Sequence, residues 1–238
     1  MSIYRKHFIP LESSPDVFNE LLDLLGVLPS LRFEDVLALD GPHDFPRPVL
    51  ALILVMPTTD GYESRKAVED VRYEESGSGL GEDIVWYKQT INNACGLYAI
   101  LHALSNGVAL DVLGTQSPMA NIIKDCSSRP PDERVLALED STELDDAYAK
   151  VALQGTSRVP DNAEDEVDFH YVCFVKSQNS GRLYELDGDR RGPVDRGLVL
   201  EPEEDVLAPR SVNVVQGYME REQGNMNFSL MALVRRET

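Results

Sequence analysis

The stretch Gln89-Thr90-Ile91-Asn92-Asn93-Ala94-Cys95-Gly96 sets a thiol at the start of the apolar segment Leu97 to Leu104. If that segment is helical, the thiol sits where backbone N–H groups lack partners and their field favours a thiolate. The field contributes only about 0.3–1 kcal/mol, less than the ~1.4 kcal/mol that one pKa unit represents. The chain also carries 41 acidic against 22 basic residues, a balance that opposes a thiolate. A nucleophilic cysteine here needs a histidine beside it to complete an ion pair.

The chain has four histidines. His102 follows Cys95 by about two helical turns, ~10 Å along the axis, which is too far to take its proton; it reads as a packed core residue. His7 lies in an N-terminal arm and His43 in a Gly-Pro loop, and nothing in the spacing brings either to Cys95. His170 opens the strand Phe169-His170-Tyr171-Val172-Cys173-Phe174-Val175, followed by a turn and the strand Arg182-Leu183-Tyr184-Glu185-Leu186-Asp187. A hairpin closing around Gln178-Asn179 sets Ser177 opposite Ser180 and His170 opposite Asp187. Directly opposed residues share a face at roughly 5 Å, so Asp187 could accept a hydrogen bond from the imidazole. A slip of one residue would send Asp187 to the other face. Cysteine, histidine and aspartate in this order are the parts of a thiol hydrolase. The competing reading is a buried cysteine, a strand histidine and a turn aspartate that never meet.

Those side chains require a scaffold. Ser14-Pro15-Asp16 has the form of a helix start, with Val17, Leu21, Leu22, Leu24 and Leu25 behind it and Gly26 at its end. Segments 32–39 and 49–56 read as strands, the second fully buried. Residues 61–81 are polar and read as a loop or a poorly packed helix. The cysteine helix is expected to run from about Asn93 to Asn106-Gly107. Helical segments follow near 117–125 and 131–153, then strands at 168–176 and 182–187. A helix is expected over 198–221, broken at Pro209, before a closing strand at 227–234. The pattern predicts one α+β domain over residues 1–238, a central antiparallel sheet surrounded by helices.

Composition narrows the classes. With 42% apolar and 26% charged residues, the chain reads as a soluble globular protein. No run of 18 apolar residues exists, so no membrane span is expected. The segment Met1 to Pro15 lacks the apolar core of a secretion signal. Three cysteines with no CxxC pair speak against a disulfide framework or a zinc site. The reading calls for no metal and no cofactor. It places the protein in the reducing cytosol, with the nucleus as an alternative, and as a monomer. A net charge of −19 repels phosphate backbones and argues against nucleic acid as a partner. The acid is clumped at 132–146, 161–168 and 201–205, which serves solubility or attracts a basic partner.

Three separate motifs resemble the ubiquitin C-terminal hydrolases, a family of cysteine deubiquitinases. They are Gln89 to Gly96 with the apolar helix carrying His102, Val167-Asp168-Phe169-His170, and Leu183-Tyr184-Glu185-Leu186-Asp187-Gly188. Ile9 to Ser13, Pro46-Arg47-Pro48-Val49 and the closing strand Phe228 to Leu233 extend the likeness over almost the full chain. The resemblance implies a papain-like cysteine hydrolase fold with an active-site crossover loop, here about residues 151–166. It implies Cys95 as nucleophile, His170 as general base and acid, Asp187 as the residue orienting the imidazole, and the Gln89 amide as an oxyanion donor. It implies cleavage at the C-terminal glycine of ubiquitin or a close ubiquitin-like protein, releasing small adducts or unfolded extensions. Pro10, Leu11 and Glu12, with Glu164, Asp165 and Glu166 on the loop, are expected along the path of the basic, glycine-ended tail. Two alternatives are a non-catalytic ubiquitin-binding module, against which the intact set counts, and another papain-like thiol hydrolase, for which a CGSCW-like signature is missing.

Overall fold

The computed structural model describes residues 4–39, 45–75, 83–109, 113, 116–165, 167–222 and 225–236. Its strands are β1 (Lys6–His7), β2 (Leu31–Asp35), β3 (Val49–Pro57), β4 (Ile91–Asn92), β5 (Phe169–Lys176), β6 (Arg182–Leu186), β7 (Val194–Val199) and β8 (Ser229–Arg235). Its helices are α1 (Pro15–Leu24), α2 (Asp60–Glu75), α3 (Cys95–Leu104), α4 (Pro118–Ser127), α5 (Pro131–Glu139), α6 (Thr142–Val151) and α7 (Pro209–Arg221). Six strands form one sheet in the order β2-β8-β3-β5-β6-β7, every neighbouring pair antiparallel. β1 and β4 form a separate parallel pair.

β3 is apolar at every position because both faces of the sheet are covered. Ala51, Ile53 and Val55 face α1 and α3, and Leu52, Leu54 and Met56 face Tyr62 of α2 and Val212, Val215 and Tyr218 of α7. All ten residues of α3 are buried, so the helix that begins with Cys95 is packed on every side. This is the expected α+β layout.

Several boundaries differ from expectation, each for a local reason. The helix expected over 198–221 begins only at Pro209, and Leu198 and Val199 instead finish the edge strand β7. Proline lacks an N–H and is tolerated at a helix's first turn, so it starts this helix and does not break a longer one. The segment 131–153 is two helices, divided where the Ser141 hydroxyl accepts the Leu144 N–H at 3.3 Å. Most of the polar stretch 61–81 is α2; residues 76–82 lie outside the described residues, as does His43. The hairpin closes later than expected. Ser177 stands opposite Arg182, with Gly181 in the left-handed region at φ +68°, and the Ser177 hydroxyl accepts the N–H groups of Asn179 and Ser180 at 3.1 Å each. Cys173 therefore pairs with Leu186, and His170 is not directly opposite Asp187. The shift moves the partner of each residue by two, which preserves the face.

Candidate active site

The chain enters α3 through a sharp bend. Asn93 adopts φ +57°, rare outside glycine, so the helix begins at Cys95 and not at Asn93. Cys95 is 6% exposed and forms part of a cleft of about 440 Å³ walled by Pro10, Leu11, Glu12 and Tyr171. His170 is the second residue of β5, paired with Met56 of β3. Its Nε2 lies 2.8 Å from Asp187 Oδ1, and the Cys95 sulfur is near enough to the same ring to favour its positive form. With Nε2 committed to the carboxylate, Nδ1 is the nitrogen left for the thiol. Burial disfavours the imidazolium, but the charge of Asp187, its hydrogen bond and the Cys95 sulfur outweigh burial and hold His170 well above the ordinary histidine range.

Burial pushes Cys126 up to about 11 and Cys173 further still, so both stay protonated at neutral pH. His102 is wholly buried, its Nε2 accepting the Tyr87 N–H at 3.0 Å. Burial lowers it to about 4, as suits the core residue expected at that position. His7, for which the spacing offered no link, is paired by backbone with Asn92 at the edge of the site.

Asp187 has no exposed surface. Burial would raise its carboxyl, yet the His170 charge and hydrogen bond, the Asp189 N–H and Arg190 overcome that and hold it below the usual carboxylate range. Its Oδ1 also accepts the Asp189 N–H at 2.8 Å, its Oδ2 the Tyr62 hydroxyl at 3.0 Å, and its backbone carbonyl the Trp86 indole at 2.9 Å. The following residue must be glycine, because a Cβ at 188 would stand 2.8 Å from Gln89 Cβ. That close approach lets the Gln89 N–H bond the Gly188 carbonyl at 2.8 Å and ties the Asp187 turn to the segment that leads to Cys95. The Gln89 side-chain amide donates to the Ile91 carbonyl at 3.2 Å, which also accepts the Ala94 N–H. Gln89 is thereby held at the turn into α3, with one amide hydrogen left to donate.

The segment 152–165, between α6 and β5, crosses the cleft, and Gln154, Ser157, Arg158, Val159 and Pro160 border the cavity together with Val167. It is pinned at both ends. The Glu12 carboxylate accepts the N–H groups of Thr156, at 2.8 Å, and Ser157. The Asn93 amide donates to the carbonyls of Ala163 at 3.0 Å and Asp165 at 2.7 Å, and the Asn92 amide reaches the same Ala163 carbonyl at 3.3 Å. The amides preceding Cys95 thus fasten the loop.

Of the expected residues, Cys95, His170 and Asp187 come together, Gln89 flanks them, and Pro10, Leu11 and Glu12 line the cleft. Glu164 and Asp165 are exposed on the loop but outside the cavity wall, and the Asp165 carboxylate accepts the Asn162 N–H at 3.2 Å. Glu166 lies outside the described residues. Sequence reasoning passed over Tyr62, Trp86 and the fastening role of Asn93. Only Asn93 carried a signal, as a turn-forming amide beside the thiol; Tyr62 reaches Asp187 across 125 positions.

A model of ubiquitin carboxyl-terminal hydrolase, family 1, matches residues 8–220. Human ubiquitin carboxyl-terminal hydrolase isozyme L1 is 33% identical over 230 residues, covering 94% of this chain and 96% of that protein. Ubiquitin carboxyl-terminal hydrolase 3 of Arabidopsis thaliana is 32% identical over 235 residues, covering 97% and 95%. Among solved structures, the Trichinella spiralis UCH37 catalytic domain bound to ubiquitin vinyl methyl ester superposes with a TM-score of 0.77 at 21% identity, covering 98% of this chain and 97% of that one.

Proposed function

The chain belongs to ubiquitin carboxyl-terminal hydrolase family 1 and is a thiol-dependent hydrolase, and we propose that Cys95, His170, Asp187 and Gln89 cleave the bond after the C-terminal glycine of ubiquitin. The observation that carries the assignment is His170 itself, hydrogen-bonded to Asp187 Oδ1 at 2.8 Å and with its positive form favoured by both Asp187 and the Cys95 sulfur.

His170 takes the thiol proton, giving a thiolate–imidazolium pair that Asp187 stabilises. The thiolate attacks the glycine carbonyl carbon. The resulting oxyanion is met by the Cys95 N–H, the first of α3 and without an intrahelical partner, and by the remaining hydrogen of the Gln89 amide. Removing one such donor typically costs about 10²–10³ in kcat. His170 gives its proton to the leaving amine as the C–N bond breaks, leaving a thioester. Water then loses a proton to His170, attacks the thioester, and releases the carboxylate and the thiol.

Pro10, Leu11 and Glu12 form the wall along which a narrow, glycine-ended tail lies, and the Glu12 carboxylate suits a basic residue within it. The loop fastened over the cleft restricts the leaving side to small adducts or unfolded extensions. The complex of the Trichinella spiralis protein with a ubiquitin ester supports ubiquitin as the partner.

Incubation with ubiquitin bearing a C-terminal vinyl methyl ester, followed by mass spectrometry, tests the assignment. One adduct on Cys95 is expected. Cys95→Ser and His170→Ala should lose hydrolysis to a similar extent, since residues acting as a unit are not additive. Modification of Cys126 or Cys173 instead, or substantial turnover by Cys95→Ser, would overturn it.

A further inference from the structure

Asp187 is held from two sides. His170 and the Asp189 N–H occupy Oδ1, and the Tyr62 hydroxyl, from the first turn of α2, occupies Oδ2 at 3.0 Å. Tyr62 is 2% exposed, its ring packed in the core on the α2 and α7 face of the sheet. Its position is set by other contacts as well. The Tyr62 N–H donates to Thr59 Oγ1 at 3.0 Å, and the Thr59 hydroxyl donates to Glu222 at 2.7 Å.

Farther along α2, ion pairs join the helix to the turn that follows Asp187. Lys66 Nζ lies 2.5 Å from Asp189, and the buried Arg190 guanidinium lies 2.8 Å from Glu69 and 3.4 Å from Asp70. α2 and the Asp187 turn are thus fastened together, which holds the backbone of Tyr62 in place relative to the carboxylate.

We propose that Tyr62 is a positioning residue of the reaction, which fixes the Asp187 carboxylate plane and limits how strongly Asp187 holds the imidazolium of His170. The proposal rests on the roles given above to His170 and Asp187. A buried carboxylate with a donor on each oxygen has one orientation and a dispersed charge. Without the hydroxyl, the charge on Asp187 draws harder on the Nε2 proton. The imidazolium then becomes a weaker acid toward the leaving amine. Burial first, then the charge of Asp187, raises the Tyr62 phenol well above its ordinary value, so it remains a donor through neutral and mildly alkaline pH. The other titratable groups that act on this carboxylate or on the Tyr62 phenol are Lys66 and Asp70 on α2, Glu185 on β6, Tyr218 on α7, Arg190 beyond the turn and His102 on α3. All of them remain in the variants below.

The experiment compares the wild type, Tyr62→Phe and a protein carrying 3-fluorotyrosine at position 62, whose phenol is a stronger donor. Hydrolysis of a ubiquitin C-terminal amide is followed against pH, and the His170 ring is titrated by NMR with labelled histidine. Tyr62→Phe should lower kcat about tenfold, equivalent to ~1.4 kcal/mol, with KM unchanged, and should raise the alkaline limb and the His170 titration together. The fluorotyrosine protein should move both downward, and it tests the idea even if Tyr62→Phe does not fold. A loss of rate with unmoved titrations, or no change in either variant, overturns the proposal. An inactive wild type would instead sink the functional reading on which it rests.

Discussion

His102 and His170 are treated in opposite ways by their surroundings. His102 lies within α3, where burial holds it neutral down to about pH 4. His170 has a carboxylate and a sulfur beside it, and its positive form is favoured. A histidine held low takes up its proton in the unfolded chain, near 6.5, before the native state can. His102 therefore removes stability as pH falls from about 6.5 towards 4, by roughly 3 kcal/mol at the lower end. His170 acts with the other sign. Its contribution is complete below about 6.5 and is lost as pH rises through its raised native value. His102→Gln retains an acceptor for the Tyr87 N–H and cannot ionise. Urea denaturation at a series of pH values between 4 and 6.5 should show a flatter pH dependence for the variant. Parallel slopes would mean that His102 takes up its proton in the native state.

At the scale of an element, the crossing loop and the start of α3 are joined through one residue. Asn93 supplies the left-handed bend before Cys95 and donates to two loop carbonyls. Asn93→Gly separates these roles, since glycine accepts φ +57° without strain but has no amide. Two hydrogen bonds at about 0.5–1.5 kcal/mol each place the shift in the loop's opening equilibrium at about 5- to 150-fold. The variant should be nicked faster by protease between residues 155 and 165. It should also hydrolyse ubiquitin joined to a folded protein better, relative to a small C-terminal amide. If protease sensitivity rises while that ratio stays put, the loop is fastened by Asn93 but does not select leaving groups.

The whole molecule carries a net charge of −19, and Glu164 and Asp165 stand exposed on the loop. The loop's charge at the cleft itself is Arg158, so long-range attraction of a basic partner belongs to the wider surface, with Glu12 the acidic residue of the cavity wall. Steering of this kind acts on association and is screened over about 8 Å at physiological ionic strength. Stopped-flow binding of ubiquitin to Cys95→Ser should slow as salt rises, while dissociation changes little. Association rates that superimpose across salt would end the steering idea and leave the catalytic roles untouched.

The sequence by itself determined the chemical parts and their order. A thiol ahead of an apolar helix, a histidine opening one strand and an aspartate closing the next are local patterns, and local patterns follow from helix and strand periodicity. The expected hairpin was wrong by a two-residue shift in pairing, but His170 and Asp187 still met because the side-chain period of a strand is two. Leu198 and Val199, read as helix, became the end of strand β7, where Val199 pairs with Arg182 of β6 and its β-branched side chain suits a strand. Only the tertiary structure decided what stands around the triad. Tyr62 behind Asp187, Glu12 and Asn93 fastening the loop, and Gly188 pressed against Gln89 are all contacts between segments far apart in the chain, or dependent on how they pack. No periodicity encodes such a contact, because it exists only after both segments have buried their apolar faces on the same sheet.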